Sequence, residues 1–168
     1  RDGAQGEGVS FSGPGKLKLA RRLDEFGVDY IEGGYAGSNE KDMAFFRDIR
    51  KEELQQARIV AFGSTHRPGL TPAKDPGMTG LLKVGPQAVA LVGKTSRLHV
   101  KTVLKVSLDE NLRIIFRSIE YYKKRNLEVF FDAEHFFDGF RDDPEYSLKC
   151  ACAAADAGAD CVVMCDTN

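Results

Sequence analysis

Apolar positions along this chain switch repeatedly between two periods. In residues 14–26, Leu17, Ala20, Leu23 and Phe26 recur every third position, which predicts a helix that Gly27 closes. Residues 28–32 read as a short strand ended by Gly33 and Gly34. Residues 39–51 return to the helical period, with Met43, Phe46 and Ile49 on one face. Residues 57–62 form the next predicted strand, again stopped by glycine. Residues 65–76, rich in Pro, Gly and Thr, predict a loop leading into a short helix near 78–83.

The second half repeats the pattern. Residues 88–92 are apolar without alternation, as suits a strand covered on both faces. His99 begins a segment that reads as extended and polar. Ser107 is a candidate cap for a long helix with Leu112, Ile115, Phe116 and Ile119 facing inward. Residues 128–134 read as a strand, Pro144 sits near the first turn of a last helix, and Gly158 ends that helix before a strand at 161–165.

Five strands separated by helices predict a parallel α/β sheet. An open doubly wound sheet and a (β/α)8 barrel share that order. The polar residues favour the barrel, because Asp2, Glu32, Lys94, Asp132, Glu134, Asp166 and Thr167 fall at or just past predicted C-terminal strand ends. In a barrel those positions converge on one mouth. Gly3, Gly6 and Gly8 lack the spacing of a dinucleotide-binding turn. Both ends break off in catalytic-looking loops. The expectation is therefore that residues 1–168 are a fragment of a single catalytic TIM-barrel domain. It would hold the second to sixth strands with their flanking helices, strand one and the last two being missing.

Composition narrows the class. Hydrophobic residues make up 42% and charged residues 29%, values that suit a globular domain and not a disordered one. A net charge of −1 gives no electrostatic reason to expect nucleic acid or an anionic membrane as partner. No apolar run approaches the roughly 20 residues of a membrane span, and no secretory leader is visible. Cys150 and Cys152 fall two apart in an alanine-rich helical stretch, and Cys161 and Cys165 bracket a strand. Small packed hydrophobes in a reducing, cytoplasmic compartment are the expected reading, in preference to a zinc knuckle.

Several residues could carry chemistry. Asp2 at a barrel mouth could ligate a divalent cation while Arg1 stabilises an oxyanion; a solvated terminal ion pair is the plainer alternative. Asp132 and Glu134 point to the same side of their strand. They could bind substrate and move a proton, or form a polar network inside the barrel. His135 points the other way and reads as a supporting or structural group, while His66 and His99 read as solvated or structural. Thr167 could hold a small acid, and Lys94-Thr95-Ser96 could meet an acidic or phosphorylated group.

In order, five blocks resemble a known family: Arg1-Asp2-Gly3-Ala4-Gln5 with Gly8-Val9-Ser10-Phe11-Ser12; Val28-Asp29-Tyr30-Ile31-Glu32-Gly33-Gly34; Gly93-Lys94-Thr95; Phe131-Asp132-Ala133-Glu134-His135-Phe136-Phe137-Asp138-Gly139; and Cys165-Asp166-Thr167-Asn168. The family is that of citramalate, 2-isopropylmalate and homocitrate synthases, the Claisen-condensing branch of the DRE-TIM metallolyases. Hydroxymethylglutaryl-CoA lyase is a further cousin. The resemblance implies an acyltransferase barrel that joins acetyl-CoA to a 2-keto acid and hydrolyses the thioester. Pyruvate, giving citramalate for isoleucine biosynthesis, fits best. A 2-isopropylmalate or homocitrate synthase, or a carbon–carbon lyase, is the alternative.

The resemblance further implies a divalent cation (manganese, magnesium or zinc) with Asp2 as a ligand, and Arg1 as the arginine that stabilises developing charge. Gln5 matches a first-loop residue near the keto acid. Glu134 matches a glutamate for substrate binding and proton transfer, and Thr167 a threonine that holds the keto acid. Asp132, at a substrate-binding position, stands where some relatives carry tyrosine. The family's His-x-His pair and following Asn would lie beyond Asn168, so the 168 residues alone are expected to be inactive. The parent is expected to be a homodimer. Gly13-Pro14-Gly15 replaces a more usual acidic stretch and is expected to delay the first helix.

Overall fold

The structure, a computed structural model, describes residues 3, 6–36 and 40–167, apart from the side chain of Lys41. Five strands, β1 (Tyr30–Tyr35), β2 (Arg58–Ser64), β3 (Ala88–Lys94), β4 (Glu128–Glu134) and β5 (Cys161–Met164), form one sheet in the order β1-β2-β3-β4-β5. Every neighbouring pair is parallel. A doubly wound sheet reverses its strand order part-way; an unbroken sequential order is the neighbour relation of a barrel wall.

The helices are α1 (Gly13–Phe26), α2 (Glu40–Ile49), α3 (Pro76–Lys83), α4 (Arg97–His99), α5 (Leu108–Lys123), α6 (Phe136–Asp142) and α7 (Pro144–Asp156). The main core joins Ile31, Ile59, Ala61, Val89, Leu91, Val129, Phe131 and Ala133 of the sheet to Phe45, Phe46, Met78, Leu81, Ile115, Ile119, Tyr122 and Cys150 of the helices. The other sheet face carries a small cluster of Val60, Phe62, Ala88 and Ala90, packed with Val92 and Phe130, to which no helix contributes. Helices on one face only are again what a barrel wall requires.

The first three strands extend further toward their C-terminal ends than their sequence pattern suggested. β1 and β2 run through the glycines expected to stop them, and β3 continues past its apolar run through Gly93 to Lys94. At Gly33 a Cβ would lie 2.7 Å from Phe45, at Gly63 2.7 Å from Leu81, and at Gly93 2.5 Å from Phe131. These glycines let an aromatic or leucine side chain press onto the backbone. Gly34 differs, having φ +132 beside a register shift between Glu32 and Gly34, where β1 bulges.

Other expectations need correction. Gly13-Pro14-Gly15 does not delay the first helix; α1 starts at Gly13, with Ser12 Oγ accepting from Gly15 N at 3.1 Å. The segment after Lys94 is not extended: α4 passes into a wide π-helical turn over Val100–Leu104, which Lys105 ends at φ 57. On α5, Asn111, Ile114, Ile115, Ser118, Ile119 and Tyr122 are buried, whereas Phe116 is exposed, because the inward stripe is rotated by one residue. Of the four cysteines only Cys150 is buried; Cys161 lies exposed on the edge strand β5. Among the described residues, no helix is long and apolar enough to cross a membrane.

Candidate functional site

The uncovered face of the sheet is a hollow of about 330 Å³ lined by Tyr30, Glu32, Val60, Ala90, Phe130, Asp132, Val163 and Cys165. A polar and aromatic cluster stands at the N-terminal ends of the strands. Tyr30 packs edge-on against Phe130 at 4.8 Å, its hydroxyl donates to Glu128 Oε1 at 2.6 Å, and Arg58 Nη1 donates to Glu128 Oε2 at 2.8 Å. Tyr30, Arg58 and Glu128 start β1, β2 and β4. The side chains around the hollow form an apolar floor (Val60, Ala90, Phe130, Val163) with carboxylates from Glu32 and Asp132.

The rim is built by β3 and β4. Lys94 and Glu134 are partners in the β3–β4 register, and the Lys94 ammonium donates to Glu134 Oε2. Both side chains are about three quarters buried, at 26% and 24% exposure. Asp132, two residues earlier, shares the strand face of Glu134, as its alternating burial pattern requires. Thr167 Oγ1 accepts from His135 N at 3.0 Å, which sets its hydroxyl beside the backbone next to Glu134. Two further backbone bonds seat the β5 end against β4: Cys165 N to Ala133 O and Phe136 N to Cys165 O, each 3.2 Å.

Asp132, Glu134 and Thr167 are thus brought to one end of the sheet. Arg1, Asp2 and Gln5 lie outside the described residues. Among the described residues, no group of three or more His, Cys, Asp and Glu side chains could hold a metal ion.

The histidines divide. His66 is buried and not solvated: its backbone N donates to Ser118 Oγ at 3.0 Å and Nδ1 lies 3.0 Å from Arg67 O. His135 adopts a left-handed backbone (φ 53), which turns its ring against His99 at 4.5 Å between centroids. His99 Nδ1 is buried with no hydrogen-bond partner among the described residues. Burial lowers the His99 basicity most, His135 and Lys94 lower it further, and Glu134 and Asp138 oppose them. From sequence, Lys94 is a candidate to meet an acidic or phosphorylated group and not a partner of Glu134. Its register partnership with Glu134 was legible only once the strands were paired.

Comparison with known proteins places this geometry. The HMGL-like family model matches residues 1–168. The chain belongs to the HMGL-like family. It is 53% identical over its whole length to (R)-citramalate synthase of Geobacter sulfurreducens and 48% identical to that of Sulfolobus acidocaldarius, spanning 32% of each. A 2-isopropylmalate synthase of Sulfolobus acidocaldarius is 30% identical over 99% of the chain and 40% of its own length. The chain therefore spans about a third of the citramalate synthases it matches. In fold it resembles hydroxymethylglutaryl-CoA lyase of Pseudomonas aeruginosa (TM-score 0.71, 20% identity, 96% of this chain and 53% of that one). It also resembles the HMG-CoA lyase of Brucella melitensis (TM-score 0.72, 15% identity, 96% and 56%). Five parallel strands flanked by helices are accordingly part of an HMGL-like TIM-barrel wall.

Proposed function

We propose that the parent protein is an acyltransferase of citramalate synthase type and that residues 1–168 form part of its single catalytic barrel. It would work in the cytoplasm, as a homodimer, on small molecules and not on nucleic acid or membrane. The reaction joins the methyl carbon of acetyl-CoA to the keto carbon of pyruvate. A base takes one methyl proton, the new alkoxide gains a proton, and water splits the thioester to citramalate and CoA. The observation that carries this reading is that Thr167 Oγ1 accepts from the backbone N of His135, the residue after Glu134, so both side chains stand at the same end of the sheet.

The parts suit the task. Glu134 is the rim carboxylate placed to bind substrate and move a proton. Thr167 accepts a bond from His135 N, leaving its own proton for a keto-acid oxygen. Asp132 supplies a second acceptor on the same strand face. Val60, Ala90 and Phe130 give the hollow an apolar wall that suits a hydrocarbon side chain.

A divalent cation, when bound, would polarise the ketone as a Lewis acid. Asp2, its expected ligand, and Arg1 and Gln5, its expected neighbours, lie outside the described residues, and the described residues alone hold no complete donor set. The described residues do not by themselves fit the ion.

The test is to incubate the full-length parent with manganese, acetyl-CoA and, separately, pyruvate, 2-ketoisovalerate and 2-ketoglutarate, measuring free CoA. Pyruvate should give the largest kcat/KM, and E134Q should lose about 10²-fold or more. Preference for 2-ketoisovalerate would reassign the parent to the 2-isopropylmalate branch. Silence with all three keto acids sinks the reading.

A further inference from the structure

Lys94 reaches the rim from the strand beside Glu134, and three buried polar side chains fix the backbone on which it stands. Asn111 Nδ2, from α5, donates to Lys94 O at 2.8 Å. Thr95 Oγ1 donates to Glu134 O at 2.8 Å, tying the two strand ends directly. Ser147 Oγ, from α7, donates to Thr95 O at 3.1 Å. Asn111, Thr95 and Ser147 are all 0% exposed. On the third side α6 closes in: a Cβ at Gly139 would lie 2.9 Å from Ser147 Oγ and 3.0 Å from Thr95 O.

An ordinary surface ion pair contributes little, because two long side chains must be held in one geometry against their own freedom. Here that cost is already met by the fold. The two residues are in register across a parallel ladder, both side chains are largely buried, and the β3 end cannot slide. Buried polar braces of this kind cost desolvation and are most useful where a group must be held within a fraction of an ångström. The half-buried His99 ring feels both charges, in opposite senses, so the pair also faces the inner side of the α4 turn.

We propose that Lys94 is a positioning residue for the condensation: paired to Glu134 across the clamped β3–β4 rim, it holds that carboxylate aimed at the substrate. This rests on the citramalate synthase reading of the site. Lys94 acts through Glu134, so its loss should be felt only while Glu134 is present.

The experiment is a double-variant cycle on the full-length parent, with kcat, pyruvate KM and melting temperature measured for wild type, K94M, K94R, E134Q and K94M/E134Q. K94M should lower kcat about tenfold or more while pyruvate KM moves less than about threefold. K94M/E134Q should be no slower than E134Q alone, since groups acting as a unit do not add. K94R should recover part of the loss. In K94A, added ethylammonium should raise kcat, an effect that a purely structural lysine would not give. K94Q guards against a folding defect and should repeat the K94M loss at an unchanged melting temperature. Additive losses in the cycle, or a K94M enzyme with wild-type kcat, overturn the role of Lys94 while leaving the function intact. A wild-type parent that releases no CoA sinks the functional reading and this inference with it.

Discussion

His99 and His135 meet edge to face, with ring centroids 4.5 Å apart and planes at 65°. They come from different segments, α4 and the residue that follows β4. His99 therefore joins the turn after β3 to the turn after β4. The His99 imidazole is held below its ordinary basicity, so its protonation should weaken that contact.

The sign follows from the direction of the shift. Burial, helped by His135 and Lys94, holds His99 below the ordinary imidazole value. Between that ordinary value, about 6.5, and the lower folded one, the unfolded chain binds a proton that the folded chain resists. Stability contributed by neutral His99 is therefore complete above about pH 6.5 and is lost as pH falls below it. The melting temperature should decline as pH falls below about 6.5, and the decline should be shallower in H99F. Asp24, Asp75, Asp143 and Asp160, all held below the ordinary carboxylate range, act in a separate, more acidic window. An H99F melting curve with the same slope as wild type would show that His99 is not the group responsible.

A second prediction concerns Gly93. A methyl group there would meet the Phe131 ring at 2.5 and 2.8 Å, and Phe131 is 0% exposed, so the ring has nowhere to swing. G93A should cost about 1–3 kcal/mol in denaturant unfolding, as overpacking does. Lys94 is the next residue, so kcat should fall with it. Trimming the ring in G93A/F131L should recover part of both losses, and failure to do so would mean that the backbone, not the ring, is at fault.

Asp75 offers a test away from the site. It is 2% exposed, caps α3 by accepting from Gly77 N (2.7 Å) and Met78 N (3.2 Å), and accepts from Arg67 N (2.8 Å). Burial alone would raise its carboxyl; those three N–H groups and the Arg67 charge outweigh burial and leave it lowered. Removing it strands three donors, so D75A should destabilise by about 2 kcal/mol, and D75N by less. Urea midpoints for the two variants measure the difference.

How far the sequence led depends on whether each signal was local. The alternation of β4, with Phe130, Asp132 and Glu134 on one side, is a two-residue rule and survived intact. The apolar runs located all five strands, and the polar strand ends pointed to a barrel mouth. Gly33 and Gly63 misled as strand stops, because what makes each a close-approach site is Phe45 or Leu81, 12 and 18 residues away. Asp75 was missed as a cap because the helical period becomes visible only near Met78. The Lys94–Glu134 pair spans 40 residues and depends on a register that no single segment encodes.

The last prediction turns on the floor of the hollow. Phe130 faces Val60, Ala90 and Val163, and its ring is held by Tyr30 at 4.8 Å, so it fixes the depth available to a keto-acid side chain. F130L shortens that wall while keeping an apolar surface and losing one aromatic contact. In the full-length parent it should raise kcat/KM for 2-ketoisovalerate relative to pyruvate by about tenfold, the scale on which one or two methylene groups are discriminated. The change should appear in KM more than in kcat, because Glu134 and Thr167 at the rim are untouched. An unchanged ratio, with stability and pyruvate turnover preserved, would place the side-chain pocket elsewhere on the barrel wall.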